Sequence, residues 1–123
     1  MNEILHDYLY PVMLGSNTAA HACVRRMEKI YGIGSTVLTG KRALTLRFLP
    51  DVRVLYAPPT LADEILMHML FDLDTESGFR IPLLVLCDSA YNAFFARNRS
   101  EIEARFIVRD ANSILGENSR APH

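Results

Sequence analysis

Apolar residues along this chain fall into two alternating patterns. One is a short unbroken run; the other is a longer stretch in which apolar side chains recur every three or four positions. The first pattern marks strands buried on both faces, and the second marks amphipathic helices. Tyr8 to Leu14 reads as the first strand and Thr18 to Tyr31 as the first helix. In that helix Ala19, Ala22, Cys23, Met27 and Ile30 keep helical spacing, while Arg25, Arg26, Glu28 and Lys29 mostly cover the other side. Gly32 is placed to end it as a C-terminal glycine cap. Ser35 to Thr39 follows as a second strand, then the turn Gly40-Lys41-Arg42. The stretch from Ala43 to Leu49 has no clear period and reads as a loop or a short helical turn.

Val52 to Tyr56 is a third strand, broken by Pro58-Pro59. Thr60 can cap the next helix, Leu61 to Thr75, with Asp63 and Glu64 favourably placed in its first turn. Its apolar stripe is Ile65, Leu66, Met69, Leu70 and Leu73. Pro82 to Cys87 is almost wholly apolar, as a central parallel strand should be. Asp88 and Ser89 open a third helix, Ala90 to Asn98, and Ser100-Glu101-Ile102-Glu103 has the form of a capping box that starts a fourth. Phe106-Ile107-Val108 is a last short strand, and Asp110 to Leu115 is one more helical turn.

Strands alternating with helices predict an α/β fold, a small doubly wound and mainly parallel sheet of about five strands with helices on both faces. Residues 1 to 115 make one domain, which a chain of 123 residues is long enough to bury around a single core. The polar, turn-rich stretch from Gly116 to His123 is expected to be a flexible tail or the start of a linker.

Charge narrows the partners. The net charge is −1 with four histidines neutral, so no basic face is implied and binding to nucleic acid or anionic membrane is not expected. No apolar run approaches the ~18 residues a spanning helix needs. The acidic start Met1 to Asp7 lacks the basic and apolar regions of a signal peptide, which predicts a cytoplasmic protein. In that compartment a structural disulfide between Cys23 and Cys87 is not expected, and both read as small buried hydrophobes.

In a parallel α/β sheet, ligands meet the protein where strands end and helices begin. The junction Gly15-Ser16-Asn17 is the first such place. Ser16 or Asn17 caps the helix, and backbone N–H groups there can face an anion that glycine lets approach closely. The pattern is neither G-x-G-x-x-G nor a P-loop. Asp88 and Ser89 stand at the same end of a predicted central strand, so the two loops line one crevice if the strands are neighbours. Asp88 is otherwise a helix cap, and Tyr91 faces that edge or the core. Arg25 either lies on a solvated face or meets a substrate carboxylate through two parallel hydrogen bonds. His21 stands alone, and His6, His68 and His123 form no metal-ligand spacing with it. Cys23 and Cys87 lie in apolar settings that raise a thiol pKa. No catalytic residue and no metal site is assigned.

The segment Tyr10-Pro-Val-Met-Leu-Gly-Ser-Asn17, followed by a helix ending Tyr31-Gly32-Ile33, resembles the opening of the ATP-grasp carboxylate–amine ligases, nearest in pattern to the D-aspartate ligase-like and carbamoyl-phosphate-synthase-like groups. Leu84-Val85-Leu86-Cys87-Asp88-Ser89-Ala90-Tyr91 is similar to their apolar strand followed by Asp and Tyr. Asn98-Arg99-Ser100-Glu101-Ile102, leading to Phe106-Ile107-Val108, resembles their next helix and strand. The resemblance spans roughly residues 8 to 110. It implies the N-terminal, Rossmann-like pre-ATP-grasp domain, which closes one side of the site and helps hold the carboxylate or amine substrate. In the complete enzymes ATP phosphorylates a carboxylate and an amine displaces the phosphate.

By the same resemblance ATP and Mg²⁺ belong to a C-terminal ATP-grasp domain, to which nothing in this chain corresponds, so no activity is expected from the chain alone. Gly15, Ser16 and Asn17 would face the cleft, with Arg25 behind them. Two departures stand out. The loop 88–91 aligns with the family's Gly-Asp-x-Tyr in two ways, so either Asp88 or Ser89 holds the acidic position. The region 41 to 51 lacks the expected Ser-rich turn. The competing readings are a stand-alone small-ligand or nucleotide-binding module and a dimerisation domain that forms a homodimer through an apolar face.

Overall fold

The computed structural model describes residues 8–40 and 51–119, the side chains of 116–119 excepted. The elements are β1 (Leu9–Leu14), α1 (Thr18–Arg26) running on as a π-helical turn (Met27–Tyr31), β2 (Ser35–Thr39), β3 (Val52–Tyr56), α2 (Asp63–Ser77), β4 (Ile81–Leu86), a 3₁₀ turn (Ser89–Tyr91), α3 (Asn92–Arg97), α4 (Arg99–Glu103), β5 (Ile107–Asp110) and α5 (Ala111–Ser119). The strands form one sheet in the order β3-β2-β1-β4-β5. Every pairing is parallel, with Val12 opposite Thr36 on one side and Leu84 on the other. This is the doubly wound α/β fold that the alternating pattern predicts, with a Rossmann-like strand order.

Side chains alternate across the strands, so each face of the sheet has its own core. Val12, Leu14, Leu38 and Leu84 pack with Leu66, Leu70 and Leu73 of α2, and with Tyr91, Phe94, Ile102 and Phe106 from the β4–β5 connection. Met13, Val37, Leu83 and Val85 point the other way, against Cys23, Val24 and Met27 of α1 and Ala111 of α5. α1 therefore leaves β1 toward one face, while α3 and α4 follow β4 on the opposite face. Strand order also reverses between β1 and β4, so the fold's switch point lies between the loops that follow these two strands. No helix among the described residues is long and apolar enough to cross a membrane.

Several local expectations are corrected. Thr60 does not cap α2. Pro58 to Leu61 closes a turn of its own, with the Leu61 N–H on the Pro58 carbonyl at 3.0 Å. The helix starts two residues late, at Asp63, with Ala62 as a cap that offers no side chain. The capping box at Ser100 also fails: α4 begins at Arg99 after Asn98. The Asn98 amide is spent on the Phe94 carbonyl and the Asp63 carboxylate, both at 2.9 Å. The expected third helix divides into the 3₁₀ turn and α3. The last strand starts one residue later than read, because Phe106 is buried in the core beneath the turn. α5 runs through Ser119, past the helical turn expected to stop at Leu115. The loop or helical turn read at 43–49 lies outside the described residues.

Candidate functional site

The site is built from the loops that leave β1 and β4. Gly15 follows β1 with φ +119°, a conformation open to glycine and strained for any other residue. A β-carbon there would collide with the β-carbon of Asp88 and lie 3.0 Å from its backbone nitrogen. The two bends are thus in van der Waals contact on one rim of the sheet. The Gly15 N–H donates to the Leu38 carbonyl at 2.8 Å, and the Asp88 N–H donates to the Leu14 carbonyl at 3.2 Å. Ladder hydrogen bonds therefore run on past the strand ends and tie both bends to the sheet.

Asn17 is the cap of α1. Its Oδ1 accepts the Ala20 N–H at 3.0 Å, and its Nδ2 donates to the Cys87 carbonyl at 2.8 Å, tying helix to strand across the switch point. Ser16 shares a 2.5 Å hydrogen bond with the Thr39 hydroxyl. Asp88 caps the 3₁₀ turn, Oδ1 accepting the Ala90 N–H at 3.0 Å. Ser16, Asn17 and Asp88 each carry a structural bond as well as a place on the rim, and of the two cap candidates at the first helix Asn17 is the cap.

Arg25 and Tyr91 stand apart from this group. Arg25 is exposed in the last turn of α1, roughly 12 Å along the axis from the cap at 1.5 Å per residue, and the rim does not include it. Tyr91 is buried, and its hydroxyl donates to the Ala57 carbonyl at 2.6 Å. Burial, with the nearby Asp88 charge, pushes the phenol up to about 12. Tyr91 is thus a core residue that braces the β3 loop against the β4 loop.

Beside Asp88 the rim opens into a hollow of about 380 Å³ lined by Leu86, Cys87, Asp88, Ser89, Asn92, Phe95 and Asp110. Asn92, Phe95 and Asp110 are additions that the sequence reading missed. A signal for Asp110 was present: like Asp88, it follows an apolar strand and precedes a helix. It caps that helix through the Ser113 N–H at 2.7 Å, and the Ser113 backbone and hydroxyl hold its carboxyl below the ordinary value. Two carboxylates, one amide and one hydroxyl thus converge on a partly apolar floor. Among the described residues no three His, Cys, Asp or Glu side chains are grouped to hold a metal ion.

A second hollow, about 260 Å³, lies at the opposite, amino-terminal edge of the sheet. Its Arg53 is already held by Glu76 at 2.7 Å, Tyr10 donates to the same carboxylate at 2.7 Å, and Arg80 stacks over the Tyr10 ring. These charges satisfy one another, and the hollow is remote from the switch point.

The fold and rim define a class: a parallel, doubly wound α/β domain whose loops after β1 and β4 meet on one rim of the sheet. Comparison with known protein families, with characterised proteins and with solved structures gives no match.

Proposed function

We propose that this chain is the substrate-side, N-terminal domain of an ATP-dependent carboxylate–amine ligase of the ATP-grasp type, holding a small carboxylate or amine substrate rather than turning it over by itself. The observation that carries the reading is the contact of Gly15 with Asp88 at the switch point, which brings both segments of the resemblance onto one rim. The resemblance over residues 8 to 110 supplies the ligase; the fold supplies only the rim.

The rim suits a ligand that carries both charges. The first-turn N–H groups of α1 and the positive end of its dipole favour a carboxylate. Asp88, with Asp110 across the hollow, favours an ammonium group. These groups bind and orient the ligand on a rim whose two loops the Asn17–Cys87 bond ties together. ATP and Mg²⁺ belong to the ATP-grasp domain in this reading, and localisation in the cytoplasm goes with it.

The test is binding of a panel of amino acids and simple carboxylates by the chain and by its Asp88→Asn variant. Asparagine keeps the acceptor for Ala90 and removes the charge. Amino-acid affinity is expected to fall about tenfold, the scale of one charge-assisted hydrogen bond, while affinity for simple carboxylates holds. Robust magnesium-dependent ATP turnover by residues 1–123 alone would contradict the proposal.

The hollow itself favours a second reading, a module that binds a small ligand in its own right. Tight binding of a free nucleotide in the same titrations would favour it over the ligase.

A further inference from the structure

Three strand ends stand side by side on the rim, in the order β1, β4, β5. Each leads into a different charge. After β1 comes the N-terminus of α1, the positive end of a helix dipole. After β4 comes the Asp88 carboxylate, and β5 ends in the Asp110 carboxylate. The order across the rim is therefore positive, negative, negative.

Strand alternation shows which way the two carboxylates face. Leu86, Val108 and Phe95 pack against the core cluster on the α3 side of the sheet. Asp110 lies two residues beyond Val108 and opposite Leu86 in the ladder, so it shares their face. Asp88 lies two residues beyond Leu86 with extended backbone, φ −112° and ψ 122°, and shares it too. There Leu86, Asn92 and Phe95 line the hollow with both carboxylates. Strand rise and spacing put the two α-carbons roughly 8 Å apart. Each carboxylate has Oδ1 engaged as a cap, Asp88 with the Ala90 N–H and Asp110 with the Ser113 N–H.

Among the described residues no Lys, Arg or His lines the hollow. Arg99 stacks over the Phe95 ring but is bonded to Glu103 at 3.1 Å. Arg109 alternates to the other face and donates to the Val108 carbonyl. A single ammonium group on Asp88 would leave Asp110 without a counter-charge.

We propose that the substrate held by this rim is an amino acid with a cationic aliphatic side chain and that Asp110 selects it, a proposal that rests on the reading of the rim as the substrate site. The charges of such a ligand run in the complementary order: the carboxylate toward α1, the α-ammonium on Asp88, the side-chain cation on Asp110. Three or four methylenes carry the second cation across one inter-strand spacing, about 5 Å, along Leu86 and Phe95. An acidic side chain meets Asp110 as a like charge, and a neutral one leaves it unpaired.

The experiment titrates the chain calorimetrically with lysine, norleucine, glutamate and 1,5-diaminopentane. Lysine is expected to bind about tenfold more tightly than norleucine, the scale of one charge-assisted hydrogen bond. Glutamate should bind more weakly than norleucine, and 1,5-diaminopentane more weakly than lysine. Asp110→Asn keeps the acceptor for the Ser113 N–H and removes the charge. In that variant lysine should fall to the level of norleucine, with norleucine unchanged. The ranking of the unaltered chain needs no variant, so it serves as the test if Asp110→Asn does not fold. Norleucine binding as tightly as lysine would overturn the proposal and leave the rim standing as a substrate site. A lysine preference that survives in Asp110→Asn, or 1,5-diaminopentane binding as tightly as lysine, would overturn it in the same way. Binding of no amino acid at all would remove the rim reading and this proposal with it.

Discussion

At the scale of single residues the structure shows which side chains carry strain or satisfaction. Gly15→Ala meets both an unfavourable φ and the Asp88 side chain. The conformational part alone is about 1–3 kcal/mol, and urea unfolding should show at least that loss. Ser35 makes the opposite case. Its hydroxyl is buried with no hydrogen-bond partner among the described residues, so Ser35→Ala should be neutral or stabilise by up to about 1 kcal/mol. Tyr91→Phe removes the donor to the Ala57 carbonyl. Leaving that acceptor unpaired should cost about 1–3 kcal/mol, with little change at the rim. The caps Asn17 and Asp88 were legible because Asn and Asp after an apolar run are favoured helix caps, while Ser16, the other candidate for the first cap, bonds to Thr39 instead. Tyr91 was not: an aromatic residue just past a strand end looks the same whether its hydroxyl meets a ligand or a backbone carbonyl.

At the scale of elements the helices depend on contacts that spacing along the chain does not reveal. The N-terminus of α2 lacks a side-chain cap and is tied down by Asp63, which accepts from Arg97 at 2.8 Å twice and from Asn98 at 2.9 Å. Those bonds hold the Asp63 carboxyl at about 2, against an ordinary 3.8. A carboxyl lowered in the folded state stabilises above its unfolded value and loses that contribution as pH falls toward the folded one. Stability should therefore decline between about pH 4 and pH 2, and Asp63→Asn should flatten that part of the curve. The pair is solvent-facing, so added salt should shrink the difference.

Strands were read closely because each is a compact apolar run: β2 and β3 match to the residue, and β1 and β4 lie within one. Helical faces were read less well. Ile65 and Ile30 were assigned to the buried stripes and are exposed, while Met67, Val24 and Ala20 are buried in their place. An apolar-rich helix offers two overlapping stripes, and packing against the sheet chooses one. The π-helical turn at Met27–Tyr31 adds to the shift in α1 by turning Ile30 outward.

At the scale of the molecule, doubly wound order follows from the alternation of elements and the rule of right-handed crossovers. The adjacency of β1 and β4 is its central consequence. These two strands pair at the centre of the sheet and carry fully buried side chains, among them Val12, Leu14 and Leu84. Leu14→Ala should cost about 2–5 kcal/mol as a core cavity and should loosen the rim, because the Leu14 carbonyl receives the Cys87 and Asp88 N–H groups. The sequence placed Gly15 and Asp88 at strand ends. Their contact follows only from pairing strands that lie about 70 residues apart in the chain. The hollow beside them draws on a third strand, β5, and for that reason Asp110 escaped a reading made one junction at a time.

Amide chemical shifts of the ¹⁵N-labelled chain, titrated with amino acids and small carboxylates, locate the binding surface residue by residue. If the rim holds the substrate, the largest shifts fall on Gly15, Ser16, Asn17, Asp88 and Ser89, with smaller ones at Asn92 and Asp110. Shifts confined to the opposite edge, around Tyr10, Arg53 and Arg80, would place the ligand elsewhere and end the claim.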